Sequence, residues 1–308
     1  MTLTSGIHDR VPMDVYLADP APAPSLSSHI ADALLNLSPA HARHLHPRLN
    51  PALRRRTSDA FDLGNTVHAL LLGGQDTVVI VDAPDWRKAE AKAQRDMARA
   101  AGKIALLKSQ YLRAYDMADA ARSQCDDFGE RPTPLAYGVP ERTLVWQEQG
   151  GVYCRARLDW AHADGRTIDD LKTVDGSANP ERFSRQLFTL GYDVQAAMYL
   201  RGLRALTGVV AAFRFVVVEA WEPYALSVVS LAPAALALAE RKVAHAIAMW
   251  RTCLESGRWP AYPARVAYVE APGWAESQWM EREYASAPAE SVDDGRSLAE
   301  QLMSQEDA

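Results

Sequence analysis

The sequence predicts a mixed α/β fold of the α+β kind, with a central mixed β-sheet flanked by helices and a helical N-terminal segment. Three observations predict it. Residues 152–160 alternate between apolar and polar side chains, and residues 167–173 follow after an Asp-Gly turn, which is typical of a β-hairpin. Residues 213–221 form an apolar run of strand length. Helix start and stop signals frame residues 25–37 and 234–256.

The N-terminal elements follow from capping residues. Residues 1–24 are predicted to be an extended lead-in because prolines interrupt them repeatedly. Ser25-Leu26-Ser27-Ser28 is an N-cap signal for a helix that ends near Leu37, and Ser38-Pro39 starts another short helix. A third helix is predicted over residues 57–72, with Ser58 or Asp59 as its cap and Gly73-Gly74 as its end.

The later elements are predicted from the same signals. Residues 86–122 indicate a long charged helical region interrupted near Gly102. The remaining elements are a strand at 141–147, the hairpin, a helix at 180–204, strands at 213–221 and 226–231, and the helix at 234–256. The tail, residues 285–308, is acidic and poor in apolar residues, which indicates disorder. We therefore predict one domain over residues 25–284.

Composition places the chain among globular proteins with ample material for a core. Of its 308 residues, 48% are hydrophobic and 23% are charged. The chain has no apolar run of about 18 residues, so we expect no membrane span. Its N-terminus shows no secretory signal, and its three cysteines are far apart and odd in number. These features predict a cytoplasmic protein.

The net charge of −6 conceals a basic segment. Residues 290–308 contain six acids and one base, which leaves the rest of the chain close to neutral. Residues 33–57 contain no acid, and they carry five arginines, namely Arg43, Arg48, Arg54, Arg55 and Arg56. A local basic surface of this kind is typical of phosphate binding, so we expect this segment to contact DNA. A second basic cluster, residues 87–108, is equally compatible with solvated helix faces.

Two carboxylates and a lysine are predicted to meet on the hairpin. Asp159 lies near the end of its first strand, and Asp170 and Lys172 lie two residues apart on the second, so they share one face. If the hairpin pairs in register, Asp159 reaches that face as well. Two carboxylates beside an ammonium are suited to holding a divalent cation and a positioned water. The alternative is an exposed salt bridge without function.

Residues elsewhere extend this set. His68 lies on an otherwise apolar helix and is a further candidate ligand, although a core histidine with one hydrogen bond would look the same. Gly64, one turn earlier, would allow a close approach by backbone or substrate. Gln195 and Tyr199 are one helical turn apart, so an amide and a phenol share a stripe. Glu141 could be another acid of the site or a surface residue.

In this order, His68, Asp159, Asp170-Leu171-Lys172 and Gln195-Ala196-Ala197-Met198-Tyr199 resemble the motifs of the PD-(D/E)XK nuclease superfamily. More narrowly, they are similar to its RecE (exonuclease VIII) and RecB-like branch, as are the segments around Ser27 and His68. The resemblance covers residues 12–265 and implies a restriction-endonuclease-like core. Asp170 replaces the glutamate frequent in the last acidic motif. The absence of a cysteine quartet disfavours the iron–sulfur members of the superfamily.

The resemblance implies roles for these residues. Asp159, Asp170, His68 and the Leu171 carbonyl would hold Mg²⁺, for which Mn²⁺ would substitute. Lys172 would orient or help deprotonate the attacking water and stabilise charge on phosphorus. The remaining candidates would contact DNA or brace the metal ligands: Gln195, Tyr199, Tyr192, Arg54, Arg55, Arg56, Arg155 and Arg157.

The resemblance also implies a 5′-to-3′ exonuclease for linear double-stranded DNA with free ends, acting in DNA recombination or repair. It further implies a ring-like homo-oligomer and a single-strand annealing partner. This level rests on analogy, since fold does not fix function. A structure- or sequence-specific endonuclease, a catalytically silent DNA-binding protein and a small-molecule metallohydrolase stay open as alternatives. Digestion of linear but not circular DNA would distinguish the exonuclease from the endonuclease.

Overall fold

Five of the eight strands that the structure describes lie between residues 138 and 229, as seen in the computed structural model, which describes residues 1–53 and 59–286. Its strands are β1 Gly6–His8, β2 Val78–Val81, β3 Ile104–Leu107, β4 Gly138–Gln147, β5 Tyr153–His162, β6 Thr167–Val174, β7 Ala212–Glu219 and β8 Leu226–Val229. Its α-helices are α1 Met13–Leu17, α2 Ser28–Asn36, α3 Pro39–Leu45, α4 Asp59–Leu72, α5 Ala89–Ala100, α6 Lys108–Asp126, α7 Pro180–Thr189, α8 Tyr192–Thr207, α9 Pro233–Ser256 and α10 Gly273–Ser286.

Six strands form the central sheet in the order β1-β4-β5-β6-β7-β8. All neighbours are antiparallel except β6 and β7, which are parallel and are connected through α7 and α8. β2 and β3 form a separate parallel pair. The mixed sheet with flanking helices confirms the predicted fold class.

Both faces of the central sheet are covered by helices. In β7, Phe213, Phe215 and Val217 contribute to a large core with α2, α7, α8 and α9. The alternate residues Val216 and Val218 join Leu171 in a second core with α4 and α6. Alternation along one strand therefore supplies two apolar layers, as expected for a sheet buried on both sides.

Most capping predictions are confirmed. The Ser27 hydroxyl accepts from the Ile30 amide, and the Ser38 hydroxyl accepts from the His41 amide, so both serines cap helices. α9 ends at Gly257, whose φ of 67° is the left-handed conformation that glycine adopts most readily. Ser58, a predicted cap of α4, lies outside the described residues.

The charged region at 86–122 is not one interrupted helix. It contains α5, the strand β3 and then α6, and β2 precedes it as a second strand that the prediction missed. Ile104-Ala105-Leu106-Leu107 is a four-residue apolar run, too short for periodicity to separate strand from buried helix. Pairing with β2, far away in sequence, decides its conformation.

The helix predicted over residues 180–204 is also wrong in extent. It is two helices, α7 and α8, separated at Gly191, whose φ is 69°. A Cβ at Gly191 would lie 2.2 Å from Asp32 Oδ1. Both the backbone conformation and this close approach require glycine, so the break has a local cause in sequence.

The chain divides into two compact units, Met1–Ala261 and a second unit that begins at Tyr262. Residues 1–24, predicted as extended, contain β1 and α1. The described part of the second unit contains α10, which was not predicted. The predicted disorder of residues 285–308 falls almost entirely outside the described residues, and the domain prediction of 25–284 stays a prediction.

α8 packs on the sheet through a glycine. A Cβ at Gly202 would lie 2.6 to 2.9 Å from three ring atoms of the fully buried Trp146. We therefore expect Gly202→Ala to destabilise the protein by about 1–3 kcal/mol through overpacking, although alanine favours helices. Urea unfolding would measure this. Gly129→Ala, where a Cβ meets nothing within 4 Å, is the control, and equal stability of the two variants would contradict the expectation.

Candidate active site

The site lies where two strands of the sheet part. β5 and β6 pair only at Trp160↔Asp169 and Ala161↔Ile168, next to the turn. Beyond these pairs the Leu171 amide donates to Asp159 Oδ2 at 2.9 Å, so a carboxylate replaces a carbonyl as its acceptor. The ladder that the sequence analysis assumed is therefore short. The acidic residues nevertheless meet, because the Asp159 side chain spans the opening.

Asp170 is the most enclosed group of the site. Its side chain is buried, and Gln195 Nε2 donates to its Oδ1 at 2.6 Å. The Lys172 ammonium pairs with the other oxygen, Oδ2. The structure thus brings together Asp159, Asp170 and Lys172 as the sequence predicts, and it holds Asp170 from two sides.

Burial controls the electrostatics of the carboxylates. Burial raises the pKa of Asp159 to about 6 and that of Asp170 to about 6, against the opposing effect of the Lys172 ammonium. Burial also disfavours the charge on Lys172, but Asp170 and Asp159 outweigh it and raise the pKa of Lys172. Two carboxylates and one ammonium leave a net negative charge in an enclosed space, which a cation would neutralise.

His68 reaches the same place from α4. Its Nε2 donates to the Leu171 carbonyl at 2.9 Å, and its Nδ1 lies 3.8 Å from Asp159 Oδ2. Burial, followed by the nearby Lys172 ammonium, lowers the pKa of His68. The imidazole is therefore neutral at neutral pH, the form that binds metal ions. His68 thus contacts the main chain of β6 at Leu171, between Asp170 and Lys172.

Residues of α8 line the site next to Asp170 and Lys172. Gln195 bonds Asp170, and Tyr199, one turn later, is buried and hydrogen-bonded to Gln195. Burial raises the pKa of the Tyr199 phenol well above 10, so the phenol stays protonated at neutral pH. The ring of Tyr192 lies 4.7 Å from Lys172 Nζ, which places an aromatic face against the ammonium.

Arg155 and Arg157, which the sequence predicts as DNA contacts, bond to other groups of the protein in this structure. Arg155 is buried, and its Nη1 donates to the Ser25 carbonyl at 2.7 Å and lies 3.1 Å from Asp19 Oδ1. Arg157 is also buried, and its guanidinium donates to the Val11 carbonyl and to Glu141. In this structure both arginines fasten the N-terminal segment to the sheet. Their contact with DNA stays a prediction.

Glu141 lies in β4 opposite Asp159, between the paired positions Pro140↔Trp160 and Arg142↔Leu158. Its φ of 51° is unusual for a residue other than glycine. Its carboxylate pairs with Arg157 and faces partly toward solvent. The structure therefore places Glu141 beside the carboxylate pair. The predicted DNA contacts Arg54, Arg55 and Arg56 lie outside the described residues.

A cavity of about 580 Å³ connects these groups. It is lined by His68, Asp159, Asp170, Leu171, Lys172, Tyr192 and Gln195 from the predicted set. It is also lined by five polar residues that the sequence does not mark as part of a site: Asn65, Gln110, Arg113, Thr173 and Asp175. Gln110, Arg113 and Met117 share one stripe of α6, but no motif marked that helix as part of a site.

The donor set fits a hard divalent cation. The structure offers two carboxylates, a neutral imidazole and the Leu171 carbonyl around one cavity, and hard cations prefer oxygen ligands. Within residues 1–53 and 59–286, no group of three or more His, Cys, Asp or Glu side chains is already arranged to hold a metal ion. The main-chain carbonyl would therefore have to join the side chains.

This fold and site define a restriction-endonuclease-like protein: a mixed sheet with helices on both faces and an Asp…Asp-x-Lys set where two strands diverge. The chain belongs to the family described as PDDEXK-like domain of unknown function (DUF3799), whose model matches residues 33–272. Membership of the predicted PD-(D/E)XK nuclease superfamily is thereby confirmed. The narrower RecE or RecB branch stays a prediction.

One solved structure agrees with this chain on the fold, and a second is reported beside it as similar. A protein from Eubacterium rectale, provisionally named an exonuclease, is similar with a TM-score of 0.57 and 14% identity, over 88% of this chain and 99% of that one. A phage related exonuclease from Haemophilus somnus 129PT gives a TM-score of 0.27 and 13% identity, over 62% of this chain and 95% of that one. No curated protein shows significant sequence similarity to the chain.

Two further observations concern the helices and the cysteines. Among the described residues, none of the helices combines the length and apolar character needed to cross a membrane. All three cysteines are buried free thiols. Burial raises the pKa of Cys125 to about 12, so this thiol is unreactive at neutral pH.

Proposed function

We propose that the protein is a metal-dependent exonuclease that hydrolyses phosphodiester bonds of linear double-stranded DNA. The observation that carries this proposal is the cluster of two buried carboxylates and a lysine in one cavity, at the point where β5 and β6 diverge. Membership of the PDDEXK-like family supports the same chemistry. Mg²⁺ is the proposed ion, with Mn²⁺ as a substitute.

Four groups would hold the ion: the carboxylates of Asp159 and Asp170, His68 and the Leu171 carbonyl. When bound, the ion supplies polarisation of a phosphate oxygen and a lowered pKa of bound water. The protein holds both carboxylates in place with hydrogen bonds, from the Leu171 amide to Asp159 and from the Gln195 amide to Asp170. Such fixed ligands reduce the reorganisation needed at the moment of reaction.

Lys172 would orient the attacking water and stabilise negative charge that grows on the phosphate. Its position is fixed by Asp170 and by the ring of Tyr192. Tyr199 braces Gln195, and Gln195 in turn fixes Asp170, so the helix α8 acts through the carboxylate. These roles need no contact between Tyr199 and DNA.

The finer activity follows from the resemblance. A 5′-to-3′ direction, a ring-like homo-oligomer, a single-strand annealing partner and a role in recombination or repair in the cytoplasm are proposed on that ground. The acid-free residues 33–57 support binding to the DNA backbone. The name of the Eubacterium rectale protein, an exonuclease, agrees with digestion from an end.

One observation favours a second candidate, a catalytically silent DNA-binding protein. Over the parts of the chain that the structure describes, no three-ligand group of acidic, histidine or cysteine side chains is preformed. A calorimetric titration with Mn²⁺ that shows no binding would support this alternative. Binding that disappears in the Asp170→Asn variant would support the nuclease.

The function is tested by incubating the protein with linear duplex DNA labelled at the 5′ or the 3′ end, with Mg²⁺ or with EDTA. We expect Mg²⁺-dependent release of the 5′ label as mononucleotides and no cleavage of closed circular DNA. Cleavage of the circle would indicate an endonuclease of the same superfamily. Equal degradation in EDTA would exclude a metal-dependent reaction.

Gly64 allows α4, which carries His68, to approach β6 closely. A Cβ at Gly64 would lie 2.9 Å from Thr173 Oγ1. We expect Gly64→Ala to displace α4 and lower the cleavage rate by about tenfold or more, because a shift of about 1 Å can cost about 10²-fold. The double variant Gly64→Ala/Thr173→Ala removes the clash and should recover activity.

The control for this prediction is Gly74→Ala. Gly74 follows the same helix, and a Cβ there would lie at an ordinary 3.5 Å from Ala69. We expect the control to cleave at the wild-type rate. A Gly64→Ala variant as active as this control would show that the position of α4 does not limit cleavage.

A further inference from the structure

The cavity extends beyond the two carboxylates, toward the C-terminal ends of β6 and β7. Asp170 and Val174 are four residues apart on β6, a distance of roughly 13 Å along the strand. The Ala220 amide donates to the Val174 carbonyl, so Ala220 lies at the same end, directly after β7. Asp175, Ala220 and Arg113 line the cavity there. This end is remote from the carboxylates but continuous with them.

Arg113 presents a guanidinium at this end. It lies on α6, is exposed to solvent, and donates from Nη2 to the Ala220 carbonyl. Over the described ranges no carboxylate pairs with it within 4.0 Å. A guanidinium has five N–H donors, so donors beyond the one used on Ala220 face the cavity or solvent. The backbone bond fixes a positive charge at the rim without neutralising it.

Trp221 is the residue that follows Ala220. Its indole Nε1 donates to the Gly176 carbonyl at 3.2 Å, and the residue is 47% exposed. The hydrogen bond fixes the edge of the indole while much of its surface faces solvent. An exposed tryptophan held in one orientation is suited to stacking with a planar ligand, and a nucleobase is such a ligand.

We propose that Arg113 and Trp221 form a subsite for one unpaired nucleotide of the substrate strand, outside the cleavage position. Arg113 binds the phosphate, and Trp221 stacks with the base. The inference rests on the proposed nuclease function, which supplies the DNA strand in the cavity. Asp175 lines the same end. Because the Asp175 carboxylate repels a phosphate, the phosphate approaches from the side of α6, where Arg113 lies. The uncharged base lies over the ends of the strands.

The experiment measures binding without cleavage. Fluorescently labelled duplexes, one blunt and one with a short single-stranded overhang, are titrated with full-length protein in EDTA. We expect Trp221→Ala to weaken binding of the overhang duplex by about fivefold or more, because stacking of one base contributes at about this level. We expect Trp221→Phe, which keeps an aromatic ring, to retain most of the affinity.

Arg113→Gln should weaken binding of the same duplex and reduce the salt dependence by about one phosphate contact, whereas Arg113→Lys should keep that dependence. The matched control is Arg122→Gln. Arg122 lies on the same helix and donates to the Leu70 carbonyl at 2.6 Å, but it does not line the cavity. Trp274→Ala, at an exposed tryptophan of the second unit, is the control for Trp221.

A spectroscopic readout separates stacking from a loss of stability. The overhang should quench tryptophan fluorescence in the wild type more than in Trp221→Phe. The subsite is excluded if Trp221→Ala and Arg113→Gln bind the overhang as tightly as their controls, or if Arg113→Lys and Trp221→Phe lose affinity as fully as the harsher variants. The nuclease proposal is separate: a wild type that binds through the subsite but leaves linear DNA intact with Mg²⁺ contradicts that proposal alone.

Discussion

Asp170→Asn is expected to abolish DNA cleavage while the protein stays folded. Asparagine has nearly the same shape, and its Oδ1 still accepts the hydrogen bond from Gln195 Nε2. It lacks the negative charge that would hold a cation and that pairs with Lys172. We expect the rate to fall by roughly 10³-fold or more, since single electrostatic groups in enclosed active sites contribute about 10²–10³-fold.

The measurement is release of label from linear duplex DNA with Mg²⁺, together with thermal unfolding of the same samples. Asp116→Asn is the control, because Asp116 is exposed on α6 and does not line the cavity. A folded Asp170→Asn variant that degrades DNA at the rate of this control would refute the assignment of the site.

Lys172→Ala should produce a similar loss of cleavage by another route. The variant keeps both carboxylates but removes the ammonium that Asp170 and the ring of Tyr192 hold in place. Binding of Mn²⁺ should therefore survive in Lys172→Ala and fail in Asp170→Asn. Calorimetry distinguishes the two. Loss of metal binding in both variants would indicate that Lys172 organises the carboxylates rather than acting on the phosphate.

The sequence predicts the members of the site better than their geometry. Asp159, Asp170, Lys172, His68 and Gln195 line one cavity, as their order along the chain suggests. The hairpin alone could not show that β5 and β6 separate after two residue pairs. Leu26, far away in sequence, pairs with Cys154 on the edge of β5 that β6 leaves open. Such long-range competition for a strand edge leaves no local pattern.

The contacts of the arginines near the site could not be predicted from the sequence, for a different reason. Arg155 and Arg157 flank the site in sequence, and a charged residue on a strand suggests a ligand contact. The structure buries both against Ser25, Val11 and Glu141. Ser25 and Val11 belong to the N-terminal segment, whose path across the sheet is not readable from composition. Arg113 carried no sequence signal, and α6 brings it to the cavity through helix packing.

Asp169 and Asp170 are adjacent and both buried, but Asp170 lines the cavity, whereas Asp169 bonds to neighbouring parts of the protein. Asp169 accepts from Arg214 Nε at 2.6 Å, from His162 Nε2 at 2.6 Å and from the Leu135 amide at 2.9 Å. Arg214 also donates to the Pro132 carbonyl. Asp169 therefore joins β5, β6 and β7 to the loop before β4, and it does not line the cavity.

Asp169→Asn is consequently expected to destabilise the protein by about 3–5 kcal/mol, because it leaves the largely buried Arg214 charge without its partner. Urea unfolding followed by tryptophan fluorescence measures this loss. The control is Asp9→Asn, which breaks the exposed pair between Asp9 and Arg142 and should cost at most about 1 kcal/mol. Equal losses in the two variants would mean that the Asp169 network contributes no more than a surface pair.

Activity separates the two adjacent aspartates. At a temperature where Asp169→Asn remains folded, we expect cleavage per folded molecule within a few-fold of the wild type, in contrast to Asp170→Asn. If the network acts as a unit, Asp169→Asn/Arg214→Gln should be more stable than the sum of the single losses predicts, because the double variant removes the unpaired charge. Additive losses would instead show that each residue stabilises the sheet independently. Loss of cleavage in a stably folded Asp169→Asn variant would place Asp169 among the residues that position Asp170.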